Sequence, residues 1–416
     1  MTANSLATIS MISRDAAMVL GNTLDLAKRV NRSFDSDFGV KGAQIGQTIN
    51  VRRPIRPTVR TGSVVDIQAV VETYSPLSFT DPYGADYALT SQELTFSVED
   101  YFDKVAKPSV VAIASKIESA GQALVDKFYG TIGTPGVALT GTTGRTAITK
   151  ALALLNKNDA PREEGRKTLL NDPDFNGVLA DGNASLFNPQ AEIAKIYTDG
   201  YQGRFSSFDV FMNQLVKSHT VGTYGGTPLT NGAVASNSTF ASSGSLVTDG
   251  WTATTTSLKK GDVFTLGSGA TGVYSVNPQT KEKLGSLQQF VVLADTVTDG
   301  SGNSTISYAP AMVDTGGFQN VNAMPGDGVA INVLGASGAV TQYALAFDKD
   351  AILLAAKELM PYSVGVGKTT TDDQTGIPIR VQQMPDIRTN QEILRFDVMV
   401  AWATLYDQLG CKICTT

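Results

Sequence analysis

One long stretch in the middle of the chain differs in composition from everything around it. From Thr220 to Val340 there is no arginine, charged residues are sparse, and Gly, Ser, Thr and Asn dominate. Short apolar runs with β character, such as GDVFTLG, TGVYSV, LQQFVVLAD and STISYAP, alternate with turn signals. A disordered linker would lack these valines and aromatic residues. The stretch therefore predicts a small β-barrel or sandwich inserted into another domain.

The chain on either side of this stretch predicts a mixture of helices and strands. RTAITKALALLNKND has helical spacing, GVLADGNASLF and FDVFMNQLV predict strands, and NPQAEIAKIYTDG predicts a helix capped by Asn188. After the stretch, DKDAILLAAKEL (348–359) predicts a further helix. IPIRVQQMPDI and EILRFDVMVAWATLYD predict closing strands. The expected fold class is α+β.

Two helices are predicted before the mixed region. SRDAAMVLGNTLDLAKRVNRSF predicts an amphipathic N-terminal arm, with apolar residues at Ala17, Leu20, Leu24 and Val30. Residues 97–129 predict a long helix that begins with a capping box. Its apolar positions follow intervals of three and four: Phe102, Ala106, Val110, Ile113, Ile117, Ala120, Leu124 and Phe128.

Between these helices, GQTINVRRPIRPTVRTGS (46–63) switches to a period of two residues. Apolar residues alternate with polar ones, and its two prolines cannot donate to a central sheet ladder. RTGSVVDIQAVVETYSPLSFTD supplies a return strand after a turn. The segment therefore predicts a long β-hairpin that projects from the body.

This hairpin is also the main electrostatic anomaly of a chain whose formal net charge is -6 and whose pI is near 5.0. Residues 38–65 hold one lysine and four arginines but no acid. A nucleic-acid grip would want aromatic stacking partners, which the strand lacks. A solvated edge strand protected by charge stays open. We favour contact with carboxylates of a neighbouring copy, because guanidinium groups pair with them in a forked geometry. The predicted contact residues are Arg52, Arg56, Arg60, Glu99, Asp100 and Asp103.

Residues with enzymatic chemistry are scarce. His219 is the single histidine and is predicted to be structural, and no segment matches a phosphate-binding pattern. Carboxylate pairs occur at 163–164 and 372–373, in what the sequence predicts to be solvated loops. The CKIC motif contains the two cysteines, too few for a zinc site, so free thiols are expected at Cys411 and Cys414. We therefore expect no enzyme, metal or cofactor.

The order of these parts resembles a known family. The resemblance is carried by LFNPQAEIAKI (186–196), FDVFMNQLVKSHTVG (208–222) and LKKGDVFTLGSGATGVYSVNPQTKEKLGSLQQFVVLAD (258–295). The last is the most specific, through its KKGD opening, VNPQT turn and LQQFVV strand. The chain resembles a phage major capsid protein with the HK97-like fold, specifically the coat-protein family of short-tailed Salmonella-type phages.

That resemblance implies an order of domains. It comprises an N-terminal arm (1–38), an extended hairpin loop (39–82), a peripheral domain with a spine helix (83–144), an axial α/β domain in two parts (145–222 and 341–390), an inserted β domain (223–340) and C-terminal strands of the peripheral domain (391–416). It implies nothing for the two cysteines.

The resemblance also implies a function. The chain would be the major coat subunit that self-assembles into the icosahedral head of a double-stranded DNA phage. Its partners would be further copies, a scaffolding protein and a portal protein, with packaged DNA close by non-specifically. We expect no membrane partner, because no apolar run is long enough to span one and no signal peptide is evident. Assembly is expected in the host cytoplasm and the final location in the virion. A tail or baseplate protein with a β-rich surface insertion, and an enzyme with a glycine-rich β domain, are the alternatives.

Overall fold

The structure is a computed structural model, which describes residues 4–32, 48–53, 56–57, 62–65, 67, 72–90, 107–163, 167–175, 177, 204–254, 256–362, 365–372, 374–386, 388–389 and 391–415. The chain divides into two compact units. The first unit comprises Met1–Val51, Pro76–Gln122 and Ile352–Ala403. The second comprises Arg52–Ser75, Ala123–Ala351 and Thr404–Thr416.

The α-helices of the described chain are α1 (Asn4–Thr23), α2 (Lys107–Gln122) and α3 (Gly141–Lys157). Its strands are, in chain order, β1 (Thr48–Arg53), β2 (Thr73–Ser78), β3 (Tyr83–Thr90), β4 (Gly130–Ile132), β5 (Lys167–Asn171), β6 (Arg204–Phe205), β7 (Phe208–Met212), β8 (Ser218–Thr220), β9 (Gly226–Thr230), β10 (Gly244–Trp251), β11 (Thr256–Leu258), β12 (Val263–Leu266), β13 (Tyr274–Val276), β14 (Lys283–Leu287), β15 (Phe290–Val292), β16 (Thr296–Val297), β17 (Ser304–Ala309), β18 (Ile331–Val333), β19 (Val340–Asp348), β20 (Ile352–Ala356), β21 (Val366–Thr371), β22 (Pro378–Asp386), β23 (Gln391–Val398), β24 (Val400–Thr404) and β25 (Gly410–Cys414). None of the described helices is long and apolar enough to cross a membrane.

The first unit is a four-stranded antiparallel sheet with helices on one face, in the order β21-β22-β23-β3. Side chains alternate along these strands, and those on the inner face, such as Ile379, Val381 and Phe396, are buried. Thr370, on the same face of β21, donates its hydroxyl to Ser13 Oγ of α1 at 2.9 Å. Helices α1 and α2 therefore cover the inner face.

The N-terminal arm is helical over a different range from the predicted one. Helix α1 ends at Thr23, so the expected continuation is wrong for residues 24–32, and residues 33–34 lie outside the described residues. The chain turns there, and Glu118 Oε1 of α2 accepts a hydrogen bond from the Leu26 backbone N–H at 2.6 Å. All four predicted apolar positions are nonetheless buried, because the turn after α1 keeps its apolar side chains in the same core.

The prediction of a helix at 348–359 is wrong. A single 3-10 turn, Lys349–Ala351, leads into strand β20, which pairs with β24. The run ILLAA is buried in four consecutive positions. A strand covered on both faces is apolar without alternation, so periodicity alone does not separate it from a buried helix.

The long helix predicted to residue 129 is confirmed as an α-helix over Lys107–Gln122. Helix α2 buries Val110, Ile113 and Ile117, as the spacing predicts, and a 3-10 turn, Ala123–Lys127, follows it. The earlier part of the prediction, residues 97–106, lies outside the described residues.

The second unit contains a mixed sheet in the order β4-β25-β19-β5-β7-β6, with β8 pairing the start of β19. The predicted strand FDVFMNQLV is confirmed over its first five residues, as β7, and its last four residues are not in a strand. The predicted helix RTAITKALALLNKND is confirmed as α3, which begins earlier, at Gly141. Thr140 caps that helix in a reciprocal box with Thr143. The strand and helix predicted at 177–187 and 188–200 lie outside the described residues, apart from Gly177.

The inserted region is a six-stranded sheet in the order β18-β12-β15-β17-β10-β9. Its end strands approach each other, since Thr230 N donates to Val329 O at 2.9 Å and Leu229 bridges Ala330. The sheet is therefore close to a closed barrel. Its interior is an apolar cluster that includes Phe264, Phe290 and Tyr308. The predicted small β domain is confirmed.

Candidate functional site

The arginine-rich segment forms a two-stranded ribbon. Strands β1 and β2 pair only with each other among the described strands. Ile49 and Val51 are buried while Asn50 and Arg52 are exposed, as the period of two predicts. Arg60 lies outside the described residues, and so do the predicted receiving carboxylates Glu99, Asp100 and Asp103.

Arg52 has a partner on its own ribbon. Its Nη1 lies 3.7 Å from Glu72 Oε1, and the two side chains are 75% and 45% exposed. Glu72 also accepts the hydroxyl of Tyr74 at 2.6 Å, and this bond raises the pKa of Tyr74. An ion pair this exposed contributes little to stability. Arg52 therefore remains a largely hydrated surface residue.

Arg53 is the residue that the sequence analysis missed. Its Nε donates to Ser75 Oγ at 2.7 Å across the ribbon. Its guanidinium lies 5.1 Å from the ring centre of Phe240 in the inserted region and 5.9 Å from that of Tyr406. Cation–π contacts of this kind hold a planar cation over an aromatic face. Arg53 therefore fixes the end of the ribbon from which the loop between β1 and β2 starts, here called the loop-side end.

Arg56 reinforces this attachment through its backbone. Its carbonyl oxygen packs so closely on Gly317 that a Cβ there would lie 2.0 Å from it. The Arg56 side chain is half-buried, and its charge lowers the pKa of Lys281 in addition to the larger effect of burial. The loop-side end of the ribbon thus lies on the inserted region of the same chain.

The inserted region is joined to the mixed sheet through a narrow neck. The incoming strand β8 and the outgoing start of β19 pair antiparallel, with His219 opposite Thr341. Two backbone bonds extend the pairing, from Val221 N to Ala339 O (2.9 Å) and from Gly338 N to Gly222 O (3.3 Å). Both connections therefore leave the sheet together.

Asp262 is the centre of a buried junction at this neck. Its Oδ1 lies 2.7 Å from His219 Nε2, and its Oδ2 accepts the backbone N–H groups of Gly222 (3.0 Å) and Lys259 (2.7 Å). Asp262 and His219 are 2% and 6% exposed. One carboxylate thus ties the incoming chain to a turn of the inserted region, and His219 is structural as expected.

Three further charged groups of the mixed sheet and its flanking segments complete the junction. Lys217 Nζ contacts Asp126 Oδ2. Lys412 is fully buried on β25, donates to Gly261 O at 2.7 Å, and lies 4.7 Å from the ring centre of Tyr343. Burial lowers the pKa of Lys412 to about 8, although Asp126 and Asp262 oppose that shift. Two carboxylates therefore face two ammonium groups, which balances the buried charge.

The CKIC motif forms part of β25, and both cysteines are buried free thiols, as predicted. Burial raises the pKa of the Cys411 thiol and raises that of Cys414 to about 12. Side chains three residues apart on a strand point to opposite faces. These thiols therefore serve as small apolar core groups.

No described site has the geometry of an active centre. A cleft of about 260 Å³ between α3 and the β13–β14 ribbon has Tyr129, Lys150 and Lys157 as its ionisable lining residues, with no acid to pair with them. Among the described residues, no group of three or more potential ligands could hold a metal ion.

One expected solvated carboxylate is instead buried. Asp372 is 7% exposed and accepts the Thr375 backbone N–H at 2.7 Å, so the prediction of a solvated loop is wrong there. The carboxylate closes its own turn, which is a local structural role.

Comparison with known proteins gives one family and several similar folds. The profile of the family described as "P22 coat protein - gene protein 5" matches residues 92–413. The structure from Mycobacterium phage Che8 is similar over 94% of this chain and 90% of that one, with a TM-score of 0.51 at 10% identity, which shows a shared fold. The capsid structure of cyanophage P-SCSP1u has a TM-score of 0.45 at 11% identity, over 89% and 84%. The mature capsid asymmetric unit of bacteriophage PhiM1 has a TM-score of 0.43 at 9% identity, over 88% and 81%. Comparison with curated proteins gave no match.

Proposed function

The chain belongs to the P22 coat protein family and is the major capsid protein of a tailed double-stranded DNA phage, and from that premise we propose how its parts build the shell. It has the α+β HK97-like capsid fold and a structural, non-enzymatic role in the virion capsid. Copies of the chain assemble with one another into the shell. The proposals below concern the surfaces through which they meet.

The ribbon is the arm that one subunit lays on its neighbour. The observation that carries this proposal is the exposure of three apolar side chains between β1 and β2: Val64 is 83%, Val65 72% and Ile67 90% exposed. Contiguous exposed apolar groups indicate a surface that a partner covers. The loop-side end of the ribbon is anchored to its own subunit through Arg53, so the loop beyond it is the part that reaches another.

The arginine face of the ribbon pairs with carboxylates of that neighbour. Arg52 supports this proposal, because its side chain is 75% exposed and its contact with Glu72 is a single long one, which leaves most of its five N–H donors for another carboxylate. We propose the same role for Arg56 and Arg60, which follow Arg52 at intervals of four residues in the sequence. The receiving residues are Glu99, Asp100 and Asp103 of the adjacent copy.

A charge swap separates this contact from the ion pair within the ribbon. Arg52→Glu alone should impair shell assembly, as should Arg56→Glu. Arg52→Glu with Glu72→Arg restores the pair within the ribbon but leaves the reversed charge at position 52. If the neighbour contact exists, the double variant assembles poorly although its subunit unfolds at the wild-type urea concentration. Full recovery of assembly would return Arg52 to the role of a solvated strand residue.

The remaining parts are assigned by their place in the chain. Residues 1–38 form the N-terminal arm, 39–82 the extended loop, 83–144 and 391–416 the peripheral domain, and 145–222 with 341–390 the axial domain. The insertion at 223–340 aids folding and fixes capsid size. The neck and the buried junction support that role, because they couple the insertion to the mixed sheet through side chains that are buried together.

Assembly takes place in the host cytoplasm with a scaffolding protein and a portal protein. The packaged DNA meets the subunit only by non-specific proximity, since the net charge of -6 gives no general attraction for phosphate. Electron microscopy of the expressed chain, with and without a scaffold, tests the assignment. Closed shells are expected, and small uniform oligomers under both conditions would overturn it.

A further inference from the structure

We infer that the outer face of the four-stranded sheet, near the turn between β22 and β23, is a contact surface for the same face of another copy. The inference rests on the assembly function, and it adds a second surface that is independent of the ribbon. Three observations support this inference: an exposed apolar row, an ionic network beside that row, and the fact that the chain's own residues cover only part of this face.

The apolar row crosses three strands in register. Met384 on β22, Ile393 on β23 and Ala88 on β3 are direct cross-strand partners, so their side chains emerge side by side on one face. Met384 is 46% and Ile393 39% exposed, and Ala88 is also exposed. The opposite face of the same strands is buried, which makes an exposed apolar row on this sheet a departure from its usual pattern.

The next two rows on this face hold an ionic network. Arg380 Nη2 donates to Asp397 Oδ2 at 2.5 Å, and Arg395 Nε donates to the same oxygen at 2.7 Å. Arg380 and Asp397 have side chains only 6% and 1% exposed. Arg395 also lies 3.7 Å from Asp86, and those two side chains are 40% and 57% exposed. The face therefore presents one cation and one anion beside the apolar row.

The chain itself covers only the end of this face that lies away from the turn. Arg380 Nη1 donates to Met360 O at 2.8 Å, and the Tyr362 ring lies 4.8 Å from the Arg380 guanidinium. This covering segment exposes apolar groups of its own, with Met360 83% and Tyr362 60% exposed. Gly365 lies beside Met384, but Met384 and Ile393 keep the exposure given above. Tyrosine and methionine are enriched in the buried centres of protein interfaces.

A second copy is the occupant that this chemistry fits. A patch that places Arg395 beside Asp86 is complementary to itself, because rotation about a symmetry axis brings the cation of one copy to the anion of another. The two apolar rows then face each other. The patch carries one exposed cation and one exposed anion, so it does not select a partner that is mainly acidic or mainly basic.

Single cysteines test the contact directly. Met384→Cys and Ile393→Cys are prepared separately, so a folding failure in one leaves the other. Each is assembled into shells, treated with a short bismaleimide, and run on a denaturing gel. Wild-type shells are one control, because Cys411 and Cys414 are buried. Gln383→Cys is the matched control, since it neighbours Met384 on the opposite face of β22.

Covalent dimers are expected from shells of both variants, and only monomers from their free subunits and from Gln383→Cys. Each chain carries one reactive cysteine and the reagent joins two thiols, so a covalent dimer is the product that supports the inference at either a twofold or a threefold axis. Monomers alone, in shells that form normally, would overturn it and leave the capsid function intact. Failure of the wild-type chain to form any shell would instead count against the function.

Discussion

His219 Nε2 and Asp262 Oδ1 lie 2.7 Å apart, although they are separated by 43 positions in the sequence and both are buried. His219 is on the incoming strand of the neck and Asp262 is inside the insertion. The same carboxylate accepts two backbone N–H groups, one from Gly222 on the incoming chain and one from Lys259 in a turn of the insertion. The insertion is therefore fastened to the mixed sheet by buried hydrogen bonds that meet at one carboxylate, and such buried polar contacts favour one arrangement.

Asp262→Ala should destabilise the subunit by about 3 kcal/mol, because it leaves two buried backbone N–H groups without an acceptor. Urea unfolding of the free subunit measures this. Asp295→Ala is the control. Asp295 is exposed and accepts only Lys260 N–H, at 2.8 Å, so water can replace it and the loss should stay under about 1 kcal/mol. Equal losses for the two variants would show that the junction adds nothing beyond an ordinary turn.

Lys412→Met should remove a specific pH dependence. The pKa of Lys412 is lowered to about 8 from an ordinary value of 10.5. Between these values the unfolded chain holds a proton that the folded one has lost, so this group makes stability rise with pH above about 8. Relative to Lys412→Met, the wild type should therefore gain about 2 kcal/mol between pH 7 and pH 9.5.

The comparison of the wild type with Lys412→Met separates the pH dependence of Lys412 from that of the two thiols. Burial raises the pKa of Cys411 and Cys414, so they lower stability with rising pH in both proteins. Lys150→Met, on the exposed side of α3, should follow the wild-type profile. A constant difference between wild type and Lys412→Met across this pH range would contradict a shifted lysine.

The sequence predicted features that depend on local periodicity. The alternation of Ile49 and Val51 with polar residues predicted the ribbon, and the arginine-free stretch predicted the inserted domain. The junction escaped prediction because its members are distant in the sequence: Lys217 meets Asp126, and Lys412 meets Gly261. No local pattern marks such pairs. The prediction for strand β20 was wrong for a local reason: burial on both faces removed the alternation that identifies a strand.

Arg53→Ala should loosen the ribbon with a loss of about 1 kcal/mol, the contribution of partly desolvated cation–π contacts. Limited proteolysis between residues 54 and 72 should accelerate. Arg53→Lys keeps the charge but loses the planar stacking over Phe240, so its cleavage rate should lie between those of the wild type and Arg53→Ala. Arg52→Ala is the neighbouring control, with a loss of at most about 0.5 kcal/mol for an exposed pair. If Arg52→Ala accelerates cleavage as much as Arg53→Ala does, the anchoring role of Arg53 is wrong.

Gly410→Ala should be among the most damaging single-methyl additions. A Cβ at Gly410 would lie 2.2 Å from Cδ1 and Cε1 of Phe128, which is fully buried. The backbone of β25 is held by β19 and β4 on its two sides, so the ring must move. Overpacking of this kind costs about 1–3 kcal/mol. Gly285→Ala, with nothing within 4 Å of its Cβ position, should leave stability unchanged or slightly raised.

A second substitution tests whether the Phe128 ring is the cause. Phe128→Leu alone should destabilise the subunit, because it leaves a cavity. Combined with Gly410→Ala, the smaller side chain makes room for the new methyl group. The double variant should therefore lose less stability than the sum of the losses of the two single variants. Urea unfolding of the four proteins gives that coupling energy. Additive losses would place the damage in the β25 backbone instead.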